Sequence, residues 1–443
     1  MFNLSSFIIF ERKIISFVIL AFILSLLFEN YLQFNLGFFR FSIVEVIFFV
    51  SIFLNLFIYK FDFLKFVIKI DRKNIFEIII YSILILKLFK YLLNYQDYYN
   101  LYELLIWMYM LGIYLTFKFY LSNNKNFVAY IENTFIFVSI ILSLHILYSY
   151  LIYKLGYESN GLWIVRDTTY YPYVGKSIVN FISLFSHGNT PAHLVAPGFL
   201  FLFNRYKNKL ILTSLLLCYF FVLYLIKSKF LIIFFGILAI FLFVRNLNLK
   251  NIKLINFLLL SSITTLSVFY IIVTHFIIIE KGIINSSNFD IFRQYYFTDF
   301  TISLNNYDIY GSLFLKLKST TVLIANSYNY IFFDSLNYYN HEIVLNYFDK
   351  LQDPHSDYFG ALANYGILGF LIFLSLPVFI IFKYLKNFDN QKINNNSFIY
   401  FLIIIMFLIE ALVSDILHTQ YIWIIFAMYF YNISNEKINY SLI

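Results

Sequence analysis

The sequence predicts an all-α protein: a polytopic transmembrane helical bundle of about twelve spans, with one large loop on the side away from the cytoplasm. Three observations predict it. Of the 443 residues, 61% are hydrophobic and 13% charged, about half the charged fraction of an ordinary soluble domain. Apolar runs of about 20 residues, enough to cross a bilayer as helix, recur along the chain. Between them, Lys and Arg collect in alternate connections.

The spans fall near 14–29, 41–59, 74–93, 102–121, 129–153, 178–203, 210–226, 230–244, 254–279, 361–384, 398–415 and 420–432. Glu11, Arg12 and Lys13 precede the first, and no small-residue cleavage site follows it, so it reads as an uncleaved signal anchor. The sixth span is the least regular. It contains HGNTPAH at 187–193 and then Pro197-Gly198, which predicts a break packed against protein or facing water. This divides the chain into 1–279, spans one to nine with an outer loop at 155–177; 280–360, the large loop; and 361–443, spans ten to twelve. The large loop is too long for a plain connector, and loops of that size are usually functional.

The connections set the orientation. The turn 60–73 holds Lys60, Lys65, Lys69, Arg72 and Lys73. Turns on the same side hold Lys118 and Lys125, then Arg205, Lys207 and Lys209, then Arg245, Lys250 and Lys253, then Lys383, Lys386 and Lys392. The turn 94–101 has no cation. Both termini are therefore expected in the cytoplasm. The same asymmetry accounts for most of the formal charge of +8, so that charge gives no reason to invoke nucleic acid. The single cysteine, Cys218, lies in a span and has no intrachain partner.

Chemistry concentrates in PHSDYFGALANYGILGF, 354–370, where the polar loop runs into span ten. Asp353 followed by Pro354 is a helix-start signature, placing His355 in the first turn. The positive end of a helix disfavours imidazolium, so His355 is expected neutral and able to accept a proton. The free N–H groups there also suit an anion. At 100° per residue, Gly366 returns to within about 20° of His355 and Gly369 to within about 40°, which would let another helix pack close beneath the histidine. A capped interfacial helix with a packing notch meets the same spacing equally well.

Arginine is scarce, seven against twenty-five lysines. Arg166 and Arg293 lie in the two long outer loops, and Arg suits bidentate phosphate contact. An ordinary loop salt bridge, such as Arg166 with Asp167 or Glu158, is the plainer alternative. Lys227-Ser228-Lys229 is a basic turn on the outer side, placed to attract a lipid diphosphate or simply anionic headgroups. Glu410 and Asp415 fall within or at the end of span eleven, where carboxylates are costly and often functional. Asp415 and His418 lie near the outer boundary. Glu410 is deeper, with Lys87 or Lys90 as a possible partner. His187 and His193 sit in the irregular sixth span. The pair His355-x-Asp357 does not amount to a metal site, and there is no clustered ligand set, phosphate loop or nucleophile elbow.

His355, Ser356, nine residues, Gly366 and Gly369 resemble the hallmark of the bacterial O-antigen ligase and O-antigen polymerase superfamily of integral membrane glycosyltransferases. About twelve spans and one large periplasmic loop just before the motif are similar too. Weaker likenesses lie at FDIFRQYYFTDF around Arg293, at Arg166 through HGNTPAHLVAP, and at Ser228-Lys229-Phe230, where the family has Ser-Arg-Gly.

The resemblance implies metal-independent, inverting transfer at the periplasmic face of the inner membrane. The donor would be an undecaprenyl diphosphate-linked glycan, with no cofactor or nucleotide sugar. It implies His355 as base, with Arg166, Arg293 and Lys229 toward the diphosphate. Ser356, Gly366 and Gly369 complete the motif, and Asp357 and Asp415 stand as secondary positions. The acceptor is another lipid-linked repeat for a polymerase, or lipid A–core for a ligase. Membrane lipids and a chain-length regulator are the further partners it admits. The Phe-, Tyr-, Ile-, Asn- and Lys-rich composition fits an AT-rich coding sequence, typical of acquired O-antigen loci, and favours the polymerase by association. A lipid-linked oligosaccharide flippase is the competing class. Against it, the polar residues gather in outer loops, and no pair of broken helices marks two repeats. A structural scaffold for a glycan assembly complex is a third reading.

Overall fold

The computed structural model describes residues 4–28, 32–36, 39–59, 61–68, 74–93, 98–156, 166–171, 176–181, 190–205, 209–226, 231, 301–302, 309–310, 357–389, 395–411 and 416–436. Among these the chain is predominantly helical. The helices are α1 (Leu4–Ser25), α2 (Ile43–Tyr59), α3 (Phe61–Ile68), α4 (Ile75–Leu93), α5 (Tyr98–Asn123), α6 (Asn126–Lys154), α7 (Thr190–Arg205), α8 (Lys209–Ile226), α9 (Asp357–Asp389), α10 (Asn395–Glu410) and α11 (Gln420–Glu436). Three of them contain stretches long and apolar enough to cross a membrane: Asn100–Asn123, Asn126–Lys154 and Asn364–Lys386. Ile43–Tyr59, Thr213–Ile226 and Ser397–Glu410 are shorter apolar stretches. Apart from Leu231, the expected spans 230–244 and 254–279 lie outside the described residues, as does nearly all of 280–360.

The helical class expected from the sequence holds among the described residues, with three short antiparallel hairpins between helices: β1 (Gln33–Leu36) with β2 (Phe39–Ser42), β3 (Arg166–Tyr171) with β4 (Lys176–Phe181), and β5 (Thr301–Ile302) with β6 (Ile309–Tyr310). The β3–β4 hairpin removes the first part of the expected sixth span. Within SIVNF the β-branched Ile178 and Val179 suit a strand, and the described helix α7 begins at Thr190. Two further boundaries differ. Helix α1 begins before Glu11–Lys13 rather than after them. The basic turn 60–73 contains α3, which buries Phe63 and leaves Asp62 and Lys65 in solvent, as an interfacial helix does.

Local chemistry explains several ends. Glu45 reaches back to the start of α2, its carboxylate accepting the Ser42 N–H at 2.5 Å and the Ser42 hydroxyl, the carboxylate half of a capping box. Helix α6 stops at Gly156, whose φ of 92° is a left-handed value, with its N–H on the Tyr153 carbonyl. Pro197 does not break α7. The Ser139 hydroxyl of α6 donates to the Val195 carbonyl at 2.9 Å, and Gly198 lets α6 approach. A Cβ on Gly198 would sit 2.5 Å from the Phe135 carbonyl oxygen.

Helices α10 and α11 are buried over most of their length and form the centre. Around them α5 packs on α11, α7 on α10 and α6, and α9 on α4. The Tyr384 and Phe401 rings stack across α9 and α10 at 3.7 Å. Exposed Phe53 and Phe57 on α2, and Leu371, Val378 and Phe382 on α9, form outward apolar faces suited to lipid.

The helices run alternately, so the polar contacts sort to two ends. One end joins Glu77 to Lys118 across α4 and α5, and Arg205 of α7 to Glu132 of α6, which also accepts the Tyr400 hydroxyl of α10. Lys118 and Arg205, two cations of the basic turns, thus share an end. The other end gathers the C-terminus of α4, the N-terminus of α5, the N-termini of α7, α9 and α11, and the C-terminus of α10. The candidate site lies there.

Candidate functional site

His355 and Ser356 lie outside the described residues, which begin again at Asp357, the first residue of α9. That first turn is clasped by the segment between α10 and α11. The Asp357 N–H donates to the Ala411 carbonyl at 3.0 Å. In return the Asp357 carboxylate accepts the backbone N–H groups of Ile416 at 2.8 Å and Leu417 at 2.9 Å. The Tyr358 hydroxyl donates to the Leu408 carbonyl at 3.2 Å. Asp357 is 5% exposed, so this carboxylate serves its neighbours' backbone rather than solvent. The geometry suits a short α10. Its 16 residues extend about 24 Å, less than the ~30 Å hydrocarbon core. At the described positions beyond it, the Ala411 carbonyl and the Ile416 and Leu417 N–H groups are bonded by Asp357.

The two motif glycines act differently from the expectation. Gly366 has φ 68° and ψ −165°, which kinks α9 between a short first segment and the long apolar one. That region of backbone space is essentially restricted to glycine. The kink ends the regular 100° progression between Gly366 and Gly369, and the space at Gly369 is taken up within α9 itself. A Cβ on Gly369 would lie 2.2 Å from the Tyr365 Cβ and 3.2 Å from the Ala361 carbonyl oxygen, both within α9. Gly366 thus turns the chain, and Gly369 makes room for Tyr365 across the turn.

The residues just before the kink are held from α4. Lys87 donates to the Tyr365 hydroxyl at 2.9 Å and to Glu103 of α5 at 2.8 Å. Its ammonium also lies over the Trp107 and Tyr365 rings, 5.3 and 5.2 Å from their centroids. Lys90 donates to the Asn364 amide oxygen at 2.6 Å. Both lysines are buried, 4% and 7% exposed, which an ammonium tolerates only with such partners. The Trp107 indole N–H donates to His418 Nε2 at 2.8 Å. Indole is a donor only, so Nε2 is the acceptor and the imidazole proton sits on Nδ1. His418 thereby joins the cluster from just before α11, with Glu103 3.6 Å away.

On the other side of the clasp, His193 of α7 pairs with Glu410, the last residue of α10. Both are buried. The expected pairing of Glu410 with Lys87 or Lys90 is therefore corrected: the lysines turn to α5 and α9, and Glu410 turns to α7.

The remaining sequence-derived positions separate. Arg166 opens β3, its backbone paired opposite Phe181. Phe181 rests on Tyr150 and Tyr153 near the end of α6, with ring centroids 5.6 and 5.7 Å away, so the hairpin sits at the site end of the bundle. Arg293, Lys229, Asp415 and His187 lie outside the described residues. The structure brings together Asp357, Gly366, Gly369, His193, Glu410 and His418. It adds Lys87, Lys90, Glu103, Trp107, Asn364 and Tyr365, which sequence reasoning did not assign to the site. The available signal was the charge of Lys87, Lys90 and Glu103 inside apolar helices. Comparisons with protein-family models, characterised proteins and solved structures find no match to this chain.

Proposed function

We propose that this chain is a glycosyltransferase of the bacterial inner membrane that joins undecaprenyl diphosphate-linked oligosaccharide repeat units at the periplasmic face, as O-antigen polymerases do. His355 removes the proton from the acceptor sugar hydroxyl. The hydroxyl oxygen bonds to the anomeric carbon from the face opposite the diphosphate. The bond from that carbon to the phosphate oxygen breaks, the electron pair leaves with undecaprenyl diphosphate, and the configuration inverts. Arg166, Arg293 and Lys229 hold the diphosphate and stabilise its growing charge. The basic turns, Lys118 and Arg205 among them, face the cytoplasm, so the site end is periplasmic.

The observation that carries the reading is the attachment of two buried lysines to the motif segment. Lys87 and Lys90 bond Tyr365 and Asn364, directly before Gly366. This supports a segment built to a fixed shape beside positive charge, as transfer from an anionic lipid donor requires. The test supplies purified protein in lipid nanodiscs with an undecaprenyl diphosphate-linked repeat. Wild type is expected to lengthen the lipid-linked glycan, and His355→Ala to fall at least a hundredfold. Transfer only when lipid A–core is added would make the protein a ligase. Full turnover by His355→Ala would overturn the base assignment.

A further inference from the structure

We infer that His193 and Glu410 are a positioning dyad that fixes the first turn of α9; this deepens the proposed transfer reaction and rests on it for its kinetic consequence. The path is short. His193 holds the Glu410 carboxylate at the end of α10. The next residue, Ala411, accepts the Asp357 N–H at 3.0 Å. The Asp357 carboxylate then takes the N–H groups of Ile416 and Leu417. His355 stands two residues before Asp357 in the chain.

The dyad is suited to this role because it adds a directional polar bond at the site end of the α7–α10 contact, which elsewhere is made by rings such as Phe201 and Tyr400. Helix α7 is anchored on α6 by the Ser139 hydroxyl and the Gly198 contact. Beyond the end of α10, the described residues Ala411, Ile416 and Leu417 meet the first turn of α9. Phe407, one turn back from Ala411, sets its ring edge-on to the His193 imidazole, with centroids 6.3 Å apart. The second Glu410 oxygen, Oε2, is buried without a donor among the described residues, so the His193 bond orients this carboxylate. That bond transmits the position of His193 to the end of α10. A displacement of about 1 Å at a reacting group costs on the order of a hundredfold in rate. His193 and Glu410 therefore act through α9 and touch no substrate.

The test uses the full chain in nanodiscs. Glu410→Leu removes the bond without leaving a buried charge, and Glu410→Gln keeps an acceptor for the imidazole. Glu410→Leu is expected to lower kcat about 10- to 100-fold with the donor KM within about twofold, while Glu410→Gln keeps at least half the wild-type kcat. The double variant Glu410→Leu/His193→Leu is expected to be no slower than Glu410→Leu alone. Hydrogen exchange supplies a readout independent of turnover. The amides of Asp357, Ile416 and Leu417 are expected to exchange at least tenfold faster in Glu410→Leu, with those of α5 and α6 unchanged. Unchanged exchange at the three amides, multiplying losses in the double variant, or a loss of kcat that follows the loss of folded protein would each overturn the dyad. If wild type transfers no glycan while the exchange result holds, the transfer reading falls and the positioning role stands; normal turnover by His355→Ala overturns the base assignment alone. If His355→Ala is dead and Glu410→Leu is fully active with normal exchange, the dyad alone falls.

Discussion

Replacing Gly366 by alanine isolates the role of the kink. At φ 68° and ψ −165°, any residue with a Cβ is strained by about 1–3 kcal/mol. At about 1.4 kcal/mol per factor of ten, the kinked arrangement becomes roughly 5- to 150-fold less favoured. The helix can escape the strain only by straightening. That would carry Asn364 and Tyr365 away from Lys90 and Lys87 and leave two buried ammoniums without those partners. The variant is therefore held between two costly states. The expected result is a melting temperature lower by roughly 1–3 °C in detergent or nanodiscs. Gly360 gives an internal control. It lies in the same helix, and a Cβ there meets nothing within 4 Å. Gly360→Ala should be neutral or should stabilise by about 0.5–1 kcal/mol, as removing an interior helical glycine does. If Gly366→Ala melts with Gly360→Ala rather than below it, the kink is not a built feature and the account of the motif spacing fails.

Other outcomes follow from the same contacts. Gly198→Ala should destabilise by about 1–3 kcal/mol through overpacking, because the new Cβ meets the Phe135 carbonyl and the Ser139 side chain; thermal melting reads it, and a neutral result would place α6 and α7 further apart. Gly369→Ala should disturb Tyr365, whose Cβ would lie 2.2 Å away, so its thermal loss should shrink when combined with Tyr365→Ala. Lys87→Met should destabilise by about 1–3 kcal/mol because Glu103 loses its ammonium, and Lys87→Met/Glu103→Met should recover part of that loss. A double variant less stable than Lys87→Met would show that Glu103 is held by other groups.

Helices were legible in the sequence where apolar runs were long and unbroken. The expected 74–93 and 210–226 match α4 and α8 to within a residue at each end, because nothing but hydrophobicity decides those stretches. The sixth span was misread because the apolar residues of SIVNF and of 191–203 add up to the length of a single crossing, although a hairpin and a helix share them. Hydropathy alone does not separate a short strand from a helix segment. The amphipathic α3 was hidden in a basic turn for the opposite reason: its one buried face is too brief to register as a span. Within the site, the motif spacing pointed to α9 but misassigned its glycines, since a glycine in an apolar run reads as a packing notch until its φ is known. The partners of Lys87 and Lys90 lie far away in sequence, so only their charge inside an apolar helix marked them. His193 and Glu410 were each visible as polar residues in spans, but their pairing depends on the crossing of α7 and α10, which no local pattern encodes.

The central claim is tested most directly by the lipopolysaccharide ladder of a strain deleted for this gene and complemented with wild type or His355→Ala. The account predicts core bearing a single repeat in the deletion, a full ladder with wild type, and no ladder with His355→Ala despite normal membrane levels of the protein. Bare core with long glycan accumulating on the lipid carrier would turn the assignment to a ligase. A full ladder from His355→Ala would contradict the account.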